Sequence, residues 1–215
     1  MKYLLGLCIF CWWNAKGQNT YSINYRQVSY YSDSPYKKLQ SFEFKTRLVY
    51  NDSISFFYVI PPGKKDKLEK LSILGDKLIH HGLIFNKNRN EKLNEVAWPK
   101  GSYFVIVDTV MQFKWIFNTA TKNILGYNCN CAYALHKNND TTLVWYNVEL
   151  GSSFGPSSFL GLPGIPLEIL DQRYAQHFIA QKIELTSVTL VLPDVKRLSA
   201  EEFKRRRDEG NAERK

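Results

Sequence analysis

The chain runs to 215 residues and carries a net charge of +9 at pH 7, with 44% hydrophobic and 14% aromatic residues. That length and apolar content suffice for one substantial core without requiring a second domain, and four cysteines exclude a scaffold built on disulfides. The basic excess by itself admits nucleic acid, an anionic membrane surface or plain solubility.

The N-terminus narrows the choice. Lys2 supplies a positive start, Tyr3 to Trp13 form an apolar run, and Ala15 and Gly17 place small residues where a signal peptidase reads them. Residues 1–17 therefore read as a signal peptide and Gln18 as the first mature residue. The run is shorter than the roughly 20 residues that cross a bilayer. Cys8 follows Leu7 and Cys11 follows Phe10, so neither has the small preceding residue that lipidation needs. The mature chain has no expected transmembrane segment and keeps only Cys129 and Cys131, with 27 Lys and Arg against 20 Asp and Glu, a net +7. Export, to the periplasm or cell envelope of a Gram-negative bacterium or beyond it, removes nucleic acid from the expected partners.

From Tyr21 onward, runs rich in aromatic and β-branched residues alternate with polar turns, the signature of antiparallel sheet. Tyr21–Arg26 alternates with period two. Further strands are expected at Phe42–Asn51, Ser53–Ile60, Leu71–Leu74, Leu78–Asn86, Tyr103–Val107, Phe113–Thr119, Cys131–His136, Leu143–Leu150 and Ile183–Leu192. Asn51-Asp52, Gly75-Asp76 and Asn138-Asn139-Asp140 separate them as turns, and 71–86 reads as a hairpin. Pro61-Pro62-Gly63-Lys64-Lys65-Asp66-Lys67 reads as an exposed loop, since paired prolines remove ladder donors and the lysines repel one another.

The C-terminal stretch differs in kind. Ser199 with Glu202 three residues on forms a capping box, and Ala200–Asp208 favours a helix carrying Lys204-Arg205-Arg206-Arg207. A solvated helix is expected, with a basic contact for a membrane surface or acidic partner as the alternative. The fold expected is mainly β: a curved antiparallel sheet, half-barrel or barrel-like, over a single domain at residues 18–198, followed by a short C-terminal helix and tail at 199–215. At the level of architecture this is similar to the periplasmic lipoprotein carriers.

The most distinctive sequence lies in residues 113–170. Phe113-Lys114-Trp115-Ile116 leads to Lys122-Asn123-Ile124-Leu125-Gly126-Tyr127-Asn128-Cys129, then Trp145, Gly155-Pro156 and Gly161-Leu162-Pro163-Gly164-Ile165-Pro166-Leu167-Glu168. This succession resembles the GLPGLI family, secreted proteins of unknown function named for that motif. Ile165-Pro166 stands where the family name has Leu-Ile, which predicts a different backbone course after Gly164. The Gly-Leu-Pro-Gly run reads as a tight non-helical turn within a long glycine- and serine-rich loop. As a binding feature, Gly155, Pro156, Gly161, Leu162, Pro163, Gly164 and Glu168 would clamp a ligand or partner against the sheet. The plainer alternative, which glycine and proline more often serve, is a structural corner between strands.

Cys129-Asn130-Cys131 places two thiols on one face of a strand, where they could chelate a soft metal, form a strained disulfide or simply pack. No second Cys-His pair stands at motif spacing to complete a zinc site, and His136 falls at an offset that turns it to the opposite face. Elbow, phosphate-loop, zinc-helix and dinucleotide motifs are absent. The sequence does not identify a cofactor. Three readings of function follow, in this order. The first is a non-catalytic cell-envelope module that binds an apolar ligand or docks to an outer-membrane protein; strand aromatics lining a curved sheet motivate it. The second is a metal or redox protein centred on Cys129 and Cys131. The third is a hydrolase drawing on Ser152, Ser153, Glu168, Asp171 and His177, with Glu168 and Asp171 as an acid/base pair or, more plainly, a solvated loop edge.

Overall fold

The computed structural model describes residues 19–31, 40–60, 63, 82–97, 103–109, 113–192 and 197–212. Among the described residues, twelve strands form one open sheet. They are β1 (Thr20–Tyr31), β2 (Gln40–Tyr50), β3 (Ile54–Ile60), β4 (Leu83–Asn86), β5 (Glu91–Ala97), β6 (Tyr103–Thr109), β7 (Ile116–Ile124), β8 (Tyr127–Leu135), β9 (Thr141–Asn147), β10 (Ile165–Asp171), β11 (Gln176–Thr186) and β12 (Arg197–Ser199), followed by one helix, α1 (Ala200–Ala212). The order across the sheet is β12-β6-β5-β4-β3-β2-β1-β11-β10-β9-β8-β7. Two antiparallel meanders, β1–β6 and β7–β11, are thus fused where β1 pairs with β11. Among the described strands only β12 joins its neighbour, β6, in parallel.

The sheet curls. Phe57 on β3 and Phe178 on β11 stack edge to face with centroids 6.2 Å apart, although β2 and β1 lie between them. Strands three places apart in a flat sheet stand about 14 Å from one another, so this contact requires the sheet to bend toward that face. The bent, inner face carries Ile23, Tyr25, Leu48, Tyr50, Phe57, Phe85, Val144, Ile169 and Phe178, and the 148–164 connection packs onto it with Phe154, Phe159, Leu160 and Leu162, all buried. The opposite face of β2–β5 carries a second ladder, Val49, Phe56, Ile84 and Leu93 in direct register. Leu190, from the segment that carries the chain from β11 back toward β12, covers it. Burial on both faces explains why β3 and β4 are nearly continuous in hydrophobicity.

Strand positions follow the aromatic and β-branched runs, but several bounds differ from expectation. β7 and β8 extend toward each other through Ile124 and Tyr127 and meet in a two-residue turn, Leu125-Gly126, with φ of 52° and 86°. Such paired positive φ matches the twist of a hairpin. Thr119–Asn123 of β7 lies exposed at the sheet edge, where solvent on both faces removes the apolar alternation that marks a strand. β5 and β10 were not expected at all. The strand expected at Ile183–Leu192 instead runs from Gln176 to Thr186, and Ser187–Leu192 lies outside the strands. Residues 1–17, the strand at 71–74, most of the 61–67 loop and the first part of the 71–86 hairpin lie outside the described residues. At the C-terminus, Ser199 Oγ accepts from the Glu202 amide at 3.1 Å, the cap expected there. Glu202 in turn binds Arg205 and Arg206, so part of the basic run is neutralised within its own helix.

Candidate functional site

The 148–164 connection is tied to the sheet by side chains that reach its carbonyls. Tyr50 Oη donates to Leu150 O at 3.1 Å, Trp115 Nε1 to Leu160 O at 2.8 Å, and Tyr25 Oη to Pro166 O, just beyond it, at 2.7 Å. Burial raises the Tyr25 and Tyr50 phenols well above their ordinary range, with the neighbouring phenols adding to it, so both stay protonated donors. Asn147 closes the turn that follows β9 by accepting from Leu150 N and ties it to β8 by donating to Asn128 O.

The Gly-Leu-Pro-Gly motif is built into this plug. Gly155, Pro156, Leu162 and Gly164 are buried, while Gly161 and Pro163 are exposed. A Cβ at Gly164 would fall on the carbonyl of Asn147, 2.6 Å from its carbon, and one at Gly155 would fall on the carbonyl of Phe159. Both glycines are close-approach positions. Pro166, an unusual strand residue, stands beside a bulge between Pro166 and Glu168, where a missing ladder donor is tolerated.

Two clefts open where the plug meets the β4–β5 hairpin. The larger, about 300 Å³, is lined by Phe85, Lys92, Phe113, Ser157, Ser158, Phe159, Leu160, Asp171, Arg173, Tyr174 and Gln176. The smaller, about 220 Å³, shares Phe85 and Leu160 with it and adds Asn86, Lys87, Asn90, Glu91, Ser153, Phe154 and Gly161. The larger cleft has an aromatic wall in which Phe113 packs against Phe159 at 5.6 Å and Phe159 against Phe178 at 5.7 Å.

Its polar end is a network centred on Asp171, which is fully buried. Asp171 Oδ1 accepts from Thr142 Oγ1 (2.9 Å), Arg173 N (3.2 Å) and Arg173 Nε (3.1 Å), and Oδ2 accepts from Arg173 Nη2 (3.0 Å). His136 Nε2 lies 2.8 Å from the same Thr142 hydroxyl. Because that hydroxyl gives its proton to Asp171, the imidazole donates to it through Nε2–H. Burial and the neighbouring Arg173 hold the His136 pKa below its ordinary value, so the ring is neutral at pH 7. The Arg173 guanidinium stacks over Phe113 at 4.9 Å and Tyr174 at 5.1 Å.

A second polar cluster lies on the opposite face of the sheet. Glu168 alternates with Ile169 and Asp171 on β10, and His177 with Phe178 on β11, so the two project away from the inner core. His177 Nε2 stands 3.0 Å from Glu168 Oε1, and Lys122 pairs with Glu168 Oε2 and lies over the Trp145 ring at 5.8 Å. Burial acts to raise the Glu168 pKa, but the hydrogen bonds from Lys122 and His177 outweigh it and hold the carboxyl below its usual range. Cys129, opposite Lys122, and Cys131, opposite Trp145, share this face. Both are free thiols and buried. Desolvation pushes the Cys129 thiol up to about 11 and raises Cys131 as well. A protonated thiol is a poor nucleophile and a poor ligand. Among the described residues no group of three or more His, Cys, Asp and Glu is placed to hold a metal ion.

Of the residues singled out in the sequence, the structure brings Glu168 and His177 together. It separates Glu168 from Asp171: neither lies on a loop edge, and they sit on opposite faces of β10, because three residues along a strand reverse the direction of the side chain. Ser153 lines the smaller cleft on the inner side, away from His177. Sequence reasoning missed Phe85, Phe113 and Arg173 as cleft residues. The signal available for Arg173 was an aspartate two positions before it in a polar four-residue stretch, the mark of an Asx-type turn.

No family model and no curated protein matches the chain. Among solved structures it is similar to PNGF-II in two crystal forms. One, in space group P21, has a TM-score of 0.63 and 18% identity; the other, in C2, has 0.59 and 17%. Each match covers 87% of this chain and 32% of PNGF-II, so the chain spans about a third of that protein's length. Identity this low shows a shared fold and nothing of activity. A LolA superfamily protein from Nitrosomonas europaea is also matched, at 7% identity and a TM-score of 0.33, over 80% of this chain and 88% of that one. So slight a likeness carries no argument.

Proposed function

We propose that this chain is an exported, non-catalytic binding module of the cell envelope, of the GLPGLI kind, which holds an apolar ligand between its plug loop and the β4–β5 hairpin. The observation that carries this reading is the cleft of about 300 Å³ with Phe85, Phe113, Phe159 and Leu160 as its walls. Its size stands at the lower end of small-ligand sites, roughly 300–1,000 Å³, and its mixture of apolar walls with a few placed polar groups is what such sites share. The leader-like residues 1–17 support export. Among the described residues, no helix is long and apolar enough to cross a membrane.

Native mass spectrometry of the mature protein purified from its own envelope tests the reading. A bound mass matching an apolar compound, lost when Phe159 and Phe113 are replaced by polar residues, supports it. A bare protein that also fails to bind any apolar probe overturns it.

Docking to an outer-membrane protein is a second reading, favoured by Ile116, Phe117, Leu125 and Leu135, which stand exposed along the free β7 edge and its hairpin. Cross-linking in intact cells from a photoreactive residue at Phe117 checks it, and the absence of any adduct would sink it.

A further inference from the structure

We infer that the ligand of the larger cleft carries an anionic, carboxylate-type head, bound at the Arg173 end. The inference rests on the reading of this cleft as a ligand site and adds its polarity. The cleft has one acidic side chain among the residues that line it, Asp171, and both of its oxygens are already taken by Thr142 and Arg173. The remaining polar side chains can all donate: Arg173, Lys92, Ser157, Ser158, Tyr174 and Gln176.

Arg173 is prepared for this role. Asp171 occupies Nε and Nη2, which leaves Nη1 outside those bonds, and the aromatic rings of Phe113 and Tyr174 fix the plane of the guanidinium. A guanidinium already ordered loses little freedom when it binds, so a charge-assisted bond to a carboxylate keeps most of its strength. Lys92 reaches the same cleft from β5, where it is level with Asp108 of β6 in the register. Phe85, Phe159 and Leu160 then receive the hydrocarbon body. A neutral head of the same size could accept a hydrogen bond from the guanidinium but would form no ion pair with it, so more of its affinity would come from the apolar walls.

Titration calorimetry with decanoate and decan-1-ol at pH 7.5 tests the inference, because the two share a chain and differ in the head. Decanoate is expected to bind about tenfold more tightly than the alcohol. In the double variant Arg173→Gln/Asp171→Asn, which removes both charges together and leaves no buried ion unpaired, that ratio should fall to near one. Lys92→Gln, at a half-buried position on the cleft wall opposite Phe85, gives a second variant should the first fail to fold, and should lower the ratio as well. Equal affinities in the unaltered protein, or a ratio unmoved by both variants, would overturn the anionic head while leaving the cleft as an apolar site. If neither compound binds, the cleft reading itself fails and the inference with it.

Discussion

Replacing Gly164 with alanine should be among the most damaging single-methyl changes in the motif loop. Its φ is not in the left-handed region, so alanine meets no backbone strain there, and the whole cost is steric. The new Cβ would lie 2.6 Å from the Asn147 carbonyl carbon and 2.8 Å from Val148 Cα, and closer still to the Asn147 oxygen. Ordinary contacts of this kind need more than 3 Å, so the chain must shift by roughly 1 Å. The obstacle is the backbone of β9 at its pairing with Ile165, which cannot rotate away as a side chain would. Overpacking of this sort costs about 1–3 kcal/mol, and a backbone obstacle places it at about 3. Gly161→Ala is the control: φ is +84° there, but the nearest atom is Trp115 Nε1 at 3.8 Å, so the expected cost is about 1 kcal/mol from the left-handed conformation alone. Urea unfolding followed by tryptophan fluorescence measures both. If Gly161→Ala proves equal to or worse than Gly164→Ala, close approach is not what the second glycine of the motif provides.

Three further outcomes follow from the same geometry. Tyr25→Phe should lower stability by about 1–2 kcal/mol, since it strands the buried Pro166 carbonyl, whereas a loss within error would show that carbonyl to be satisfied elsewhere. Asp171→Asn should cost about 2 kcal/mol, below the ~3–5 of a fully enclosed pair because the Arg173 side chain keeps 18% exposure, and a stabilised variant would refute the charge pairing. The lowered His136 pKa means that the unfolded chain takes up a proton before the folded one does. Its contribution is therefore present above about pH 6.5 and lost as pH falls through that value toward the folded pKa. The lowered Glu168 carboxyl acts further down, present above about 4.5 and lost as pH falls toward its own folded value. Unfolding midpoints between pH 8 and pH 3 should drop in these two windows. His136→Gln should flatten the first and Glu168→Gln the second, and a midpoint rising on acidification through either would contradict the assignment.

The sequence by itself determined the fold class, because period-two alternation in Tyr21–Arg26 and the aromatic and β-branched richness of Phe42–Asn51 and Ser53–Ile60 are local properties of strands. It also marked the helix cap at Ser199, where one side chain answers the amide of Glu202 three residues on. It did not show β5 or β10. Glu91–Ala97 is mostly polar and is a strand because β4 and β6 flank it, and Ile165–Asp171 contains a proline that only a bulge beside β9 accommodates. The GLPG run was legible as a backbone feature, but that Gly155 and Gly164 are demanded by the approach of Phe159 and Asn147 depends on how the loop is seated. Only the tertiary structure decided that Glu168 faces His177 and Lys122 while Asp171 faces Arg173 and Thr142, and that Phe85, Phe113 and Phe159, far apart along the chain, border one cleft. Local pattern states which face of an element is apolar. Which faces then meet depends on sheet order and curl, and these are set by contacts between residues more than a hundred positions apart, such as Tyr25 with Pro166 and Phe57 with Phe178.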